Sequence, residues 1–146
     1  MSLTYVPAEL RRQVRDRSER RCEYCLLGEE DAFFTHEPDH IIAEKHGGKT
    51  TIENLAFACF ACNRFKGSDI ASIDPATGDL VPLFNPRREQ WGDHFRLNDG
   101  VIVAITAAGR ATERLLKFNL MERIEARHEL TQSGRYPGSR APSAFD

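Results

Sequence analysis

The chain has 146 residues, 40% hydrophobic and 29% charged, with a formal net charge of −2. That composition is ordinary for a globular domain, and no apolar run approaches the roughly 20 residues a membrane-spanning helix needs. The charge balance supplies no overall basic field, so any attraction for nucleic acid has to come from local patches.

The opening, MSLTYVPAEL, has no signal-peptide apolar stretch, and a cytoplasmic protein is expected. After a loose lead-in, Pro7 suits the first turn of a helix, and Glu9 to Arg20 reads as helical with Leu10 and Val14 on one face. Its other faces carry Arg11, Arg12, Arg15, Arg17, Arg20 and Arg21 against Asp16 and Glu19. They read either as a solvated surface or as a phosphate-contacting ridge. Cys22-Glu-Tyr-Cys25 is a knuckle able to put two thiolates on one ion, followed by a loop with a turn at Gly28. Ala32 to His36 should form a short strand, because Phe33, Phe34 and Thr35 are good strand formers. A strand then continues or resumes through His40, Ile41 and Ile42, and Lys45 to Lys49 is a turn on Gly47-Gly48. Thr50 and Glu53 have the spacing of a capping box, giving a short rigid turn that delivers Asn54. Leu55 to Ala58 is a second strand, and Cys59-x-x-Cys62 leads into a helix over roughly residues 61–71.

Beyond it, residues 74–78 form a turn and Leu80 to Phe84 an extended piece broken by Pro82. His94 to Leu97 and Val101 to Thr106 flank Asn98-Asp99-Gly100, a strong hairpin signal. Two amphipathic helices follow, about 108–118 and 120–130, with Asn119 at the break. Nothing catalytic is evident in this half, which reads as a packing platform. Residues from Thr131 on are rich in Gly, Pro and Ser and read as a mobile tail. The expected organisation is a core over residues 1–72, a hairpin and helical platform over 73–131 and a flexible tail over 132–146.

Two Cys-x-x-Cys pairs in a chain without an export signal favour zinc over a disulfide or redox role. Between and beside them stand Asp39-His40, then Asn54 fourteen positions after the His, then Asn63 directly after Cys62. An imidazole can take a proton near neutral pH, and a hard divalent cation can stabilise phosphoryl charge and a departing oxygen, so Asp39, His40 and Asn63 suit phosphodiester hydrolysis.

This arrangement resembles the HNH endonuclease family, in the branch where four cysteines bind a structural zinc and Asn replaces the final His. The match is tight from Arg21 to Gly67; the features at 83–86, Trp91, His94-Phe95 and 109–112 look like the carboxy-terminal region of some bacterial HNH proteins. The resemblance implies an α+β fold: a ββα-metal (His-Me finger) core stapled by a four-cysteine zinc site, with an N-terminal helix and a C-terminal hairpin plus helices. It implies that His40 is the general base of a one-metal endonuclease acting on DNA. Asp39 and Asn63 would hold the catalytic ion. Asn54 would bond to backbone across the loop and so hold His40. Because an amide carbonyl is a harder ligand than imidazole, Asn63 should tilt that ion toward Mg²⁺ or Mn²⁺. Cys22, Cys25, Cys59 and Cys62 would form a closed zinc site that clamps rather than catalyses. Lys66 and Arg64 are candidate phosphate contacts, as is His46, whose plainer reading is a solvated loop residue. His36, His94 and His128 read as structural. The competing reading is a zinc-ribbon module that binds nucleic acid without cutting, or a nuclease-like subunit of a larger DNA-processing complex with protein partners.

Overall fold

The computed structural model describes residues 5–137, which divide into two compact units between Ile70 and Ala71. Helices and small antiparallel sheets together make the fold α+β. Among the described residues no helix is long and apolar enough to cross a membrane.

The first unit opens with α1 (Ala8–Arg17), preceded by Pro7, whose carbonyl accepts from the Arg11 N–H at 2.9 Å. The helix ends three residues before the expected Arg20 because Glu19 and Arg20 are left-handed, with φ of 56° and 63°. That reversal lets the chain turn into the first knuckle. Val14 is fully buried and joins Val6, Leu55 and Phe57, with Leu10 and Ile52 packed against them. Each fully buried aliphatic or aromatic side chain of this set contributes about 1.5–3 kcal/mol.

The arginines of α1 are largely occupied within the protein. Arg12 pairs with Glu9, Arg11 with Glu37 and Arg15 with Glu29. Arg17 donates to the carbonyls of Ile52 and Leu55. This favours the solvated, self-paired surface over a ridge of cations waiting for phosphate.

Strand β1 (Glu37–His40) pairs antiparallel with β2 (Leu55–Ala58), Glu37 opposite Ala58 and His40 opposite Leu55. The strand expected over 32–36 does not form: a 3-10 turn occupies Glu29–Asp31 and the chain then runs irregularly, with Phe33 95% and Phe34 53% exposed. Strand propensity reflects packing on a half-buried surface, and these rings meet no sheet. The expected capping box is also absent. Thr51, not Thr50, precedes the 3-10 turn Ile52–Asn54, and no side chain caps it. Helix α2 (Phe60–Lys66) is shorter than expected because Gly67, at φ 54°, ends it. Ala71, assigned to that helix from sequence, begins a strand instead.

The second unit contains β3 (Ala71–Ile73) paired with β4 (Leu80–Pro82), and β5 (Phe95–Asn98) paired with β6 (Val101–Ala104). The β5–β6 turn is the expected one, with Asp99 and Gly100 both at positive φ. Helix α3 (Ala107–Leu115) starts where the Thr106 hydroxyl accepts from the Gly109 N–H, and α4 (Met121–Gln132) follows. Asn119, at the break, bonds both the N–H and the C=O of Ile102. Phe84, Trp91, Phe95, Ile102, Leu116 and Phe118 are buried, with the Phe95 ring meeting those of Trp91, Phe84 and Phe118 at 4.8, 5.6 and 5.6 Å. Asp74 is fully buried and takes two bonds from Arg110, both 2.9 Å. Of the stretch expected to be loose, Thr131 and Gln132 belong to α4 and Tyr136 is buried; residues 138–146 lie outside the described residues.

Candidate metal centre and catalytic pocket

Four cysteines meet in the first unit. Cys22 and Cys25 lie on a tight reversal closed by Leu26 N–H to the Cys22 carbonyl (2.9 Å) and Cys22 N–H to the Leu27 carbonyl (2.8 Å), with Leu26 left-handed at φ 69°. Cys59 caps α2 and Cys62 lies in its first turn. In each pair the second residue's N–H points at the first sulfur, Cys25 to Cys22 and Cys62 to Cys59, both at 3.4 Å. All four sulfurs lie within 4.8 Å of one another, Cys25 and Cys59 at 3.6 Å. Zinc–thiolate bonds of about 2.3 Å place sulfurs about 3.8 Å apart at the corners of a tetrahedron. The donor set therefore fits zinc. Burial pushes the Cys22 and Cys62 thiols well above their ordinary values, and a dication held by them would supply the charge that deprotonates a coordinating thiol.

Glu23 ties this knuckle to the sheet. Its N–H donates to the Phe57 carbonyl at 2.8 Å and its carboxylate accepts from the Phe57 N–H at 2.7 Å. Tyr24, almost fully buried, donates its hydroxyl to Asp39 Oδ2 at 3.0 Å. Lys66, from the last turn of α2, reaches the same oxygen at 3.1 Å and also donates to the His40 carbonyl at 3.0 Å. The elements that carry the cysteines thus also hold Asp39.

Lys66 corrects a sequence expectation. Its ammonium is 2% exposed and committed to Asp39 and to the main chain, so it is an internal counter-charge and not a surface phosphate contact. Burial pushes the Asp39 carboxyl upward, with Lys66 the leading group pulling it the other way. Oδ2 carries both bonds, which leaves Oδ1 without a partner among the described residues.

His40 ends β1 and is 3% exposed. Its Nε2 is 2.8 Å from the Thr50 hydroxyl, while Nδ1 is buried without a protein partner. An orphaned polar atom of this kind points to a bound water or ligand. The spacing to Glu53 suggests Thr50 as a helix cap, but its hydroxyl is spent on the imidazole.

Asn54 closes the loop between the strands. Its Oδ1 accepts from the Ile42 N–H, and its Nδ2 donates to the carbonyls of Ile42 and Lys49, each at 2.9 Å. Ile41 N–H adds a bond to the Asn54 carbonyl at 2.8 Å. The clamp works only because residue 48 is glycine: a Cβ there would lie 1.7 Å from the Ile42 oxygen and 2.8 Å from Asn54 Nδ2. Gly47 next to it has open space but a φ of +91°.

Asn63 lies one turn before Lys66 on α2, half-buried, and its amide has no side-chain partner among the described residues. Arg64 is exposed, with its guanidinium carbon 6.0 Å from the Phe60 ring. His46 is exposed in the 3-10 turn Glu44–His46. His36, by contrast, is buried: its Nε2 bonds the Leu27 carbonyl at 2.9 Å and the ring packs on Phe57, while its Nδ1, like that of His40, has no protein partner. In the second unit His94 spans Thr106 and Glu89, and His128 meets Asp99. Sequence reasoning misses Tyr24, Glu23 and Thr50 as site residues; the first two stand between cysteines, where a knuckle motif leaves the residue type open.

Residues 22–69 match the family model described as HNH endonuclease. Comparisons with curated proteins and with solved structures gave no match.

Proposed function

From an HNH endonuclease domain over residues 22–69, we propose that this chain is a metal-dependent endonuclease that hydrolyses DNA phosphodiester bonds on a ββα-metal core made of β1, β2 and α2. The observation that carries the reading is His40 at the end of β1, with one ring nitrogen fixed by Thr50, the other unpaired, and the adjoining loop locked by Asn54. His36 also has an unpaired Nδ1; what distinguishes His40 is its place beside Asp39 at the end of β1, on the loop that Asn54 closes.

In this mechanism His40 keeps its proton on Nε2, donating it to the Thr50 oxygen, and takes a proton from the attacking water at Nδ1. Asn54 does not touch the reacting atoms; it positions the strand end that carries the base. Asp39 Oδ1 and Asn63 Oδ1 are the hard oxygens that would hold Mg²⁺ or Mn²⁺. That ion, when bound, supplies charge stabilisation at the phosphoryl oxygens and the leaving oxygen. The four cysteines hold zinc as a clamp with no open coordination position. Arg64 and His46, both exposed, are the side chains offered to neighbouring phosphates.

The pairing of Asp39 with Lys66 and Tyr24 favours a second reading, in which the carboxylate is only a structural counter-charge and the chain is a non-cutting zinc module or a subunit of a DNA-processing complex. Incubating supercoiled plasmid with zinc-loaded protein and Mg²⁺ or Mn²⁺ separates the two. Nicking by the wild type, lost in His40→Ala at unchanged fold, is the expected result. Absence of nicking, or equal nicking by His40→Ala, removes the nuclease reading.

A further inference from the structure

Three phenylalanine rings form an exposed file on the first unit. Phe33 is 95%, Phe34 53% and Phe60 44% exposed. Phe33 meets Phe34 edge-on at 5.0 Å, Phe34 meets Phe60 at 4.6 Å, and the Arg64 guanidinium closes the file 6.0 Å from the Phe60 ring. The file is fixed to rigid parts: Phe60 lies between Cys59 and Cys62, and Phe34 stands two residues before His36, which is buried and bonded to the Leu27 carbonyl. An ordered row of aromatic surface left in water marks a contact site.

We propose that this file is a stacking platform for unpaired bases of DNA, and that the protein selects single-stranded or locally opened DNA over uninterrupted duplex. The inference deepens the nuclease reading and rests on it for the identity of the ligand as DNA. Two observations favour bases over an apolar protein face. The row ends in a cation suited to the phosphate that accompanies a stacked base. It also shares α2 with Asn63: Phe60, Asn63 and Arg64 fall within little more than one turn, so a strand stacked on the open Phe33 end of the file is held on the same unit as the proposed metal ligand. Phenylalanine has no polar edge with which to read base identity, so the selection is for unpaired structure and not for sequence. Duplex DNA keeps its base faces stacked and offers the rings nothing.

The test is fluorescence anisotropy with the full, zinc-loaded chain and Ca²⁺ in place of Mg²⁺ or Mn²⁺, using a labelled mixed-sequence strand of about 20 nucleotides, long enough to span a typical single-strand site, and the duplex of the same sequence. Phe33→Ala with Phe34→Ala is expected to weaken single-strand binding about 10- to 100-fold, the loss of one or two stacked bases, and duplex binding less than about threefold. Phe33→Trp should keep the single-strand affinity and show quenched indole emission on binding. Equal losses on strand and duplex, or no loss on either, would overturn the proposal. So would self-association of the wild type that disappears in the double variant, because the file would then be a contact between two copies. Nicking is read separately. Single-strand preference without cleavage leaves this inference standing and removes the nuclease reading, whereas cleavage without the preference does the reverse.

Discussion

Thr50→Val tests the proposed catalytic geometry at a position the sequence pattern marks only as a helix cap. The substitution keeps the shape of the side chain and removes the one hydrogen bond on His40 Nε2, which spans 2.8 Å. Because His40 is 3% exposed and its Nδ1 has no protein partner, the buried ring would be left without any hydrogen bond to the protein. That costs about 1–3 kcal/mol. The lost anchor also frees the ring to turn, and a misplacement of the order of 1 Å costs about 100-fold in rate. Nicking of supercoiled plasmid should therefore fall by about 10- to 100-fold, with the affinity for DNA in Ca²⁺ unchanged, since in the proposed mechanism Thr50 only orients the imidazole and does not touch substrate. Amide exchange at Ile41, whose N–H bonds the Asn54 carbonyl, reads whether the loop has loosened. Thr50→Ser should restore both rate and protection, and nitrogen NMR of the wild type should find the imidazole proton on Nε2. Wild-type nicking by Thr50→Val, or a proton on Nδ1, would refute the assignment of His40 Nδ1 as the base.

Stripping the metal with a strong zinc chelator should abolish exchange protection across β1, β2 and α2, because the binding energy of such a site is folding energy. Emission from Trp91, the only tryptophan and buried in the second unit, should keep its folded position, since all four cysteines lie in the first unit; joint loss of both signals would refute that expectation. Asn54→Ala removes three bonds to backbone and should destabilise the first unit by about 2–4 kcal/mol, seen as faster exchange at Ile41 and weaker nicking. Arg110 holds the Asp74 carboxyl well below the usual carboxylate range, helped by the Ala76 N–H and the Thr77 hydroxyl. A depressed folded value means the stabilisation is complete above the unfolded carboxylate value of about 3.9 and is lost progressively as pH falls from there through the depressed folded value. Asp74→Asn should therefore lower the thermal midpoint of the second unit at neutral pH and leave the difference from wild type much smaller near pH ~2; an equal difference at both would refute the ion pair as its source.

The motif residues are legible because chemistry narrows their types: two Cys-x-x-Cys pairs suit one tetrahedral zinc, and a short amide can serve two directions of backbone as Asn54 does. Strand β2 is bounded correctly from four apolar letters, and the β5–β6 turn from its Asp-Gly pair, because both signals are local. Phe33 and Phe34 mislead for the opposite reason. Their strand preference is a preference for being packed, and no partner strand stands beside them. Lys66 reads as a surface cation since lysine is seldom buried; only the position of Asp39 across from α2 shows why it is internal. Thr50 shows the same limit, for its spacing to Glu53 fits a cap while its true partner is ten residues upstream in another element.

The adjoining glycines of the loop look like one flexible hinge on paper, yet they obey different rules. Position 47 is constrained by handedness alone, and asparagine, which tolerates the left-handed region, is the replacement it should accept. Position 48 is constrained by volume, since even a methyl group would strike the Ile42 oxygen and lever apart the contact that Asn54 makes there. A saturation library across the pair would return a short tolerated alphabet at the first site and a single letter at the second, so half of what passes for slack in this loop is a keystone.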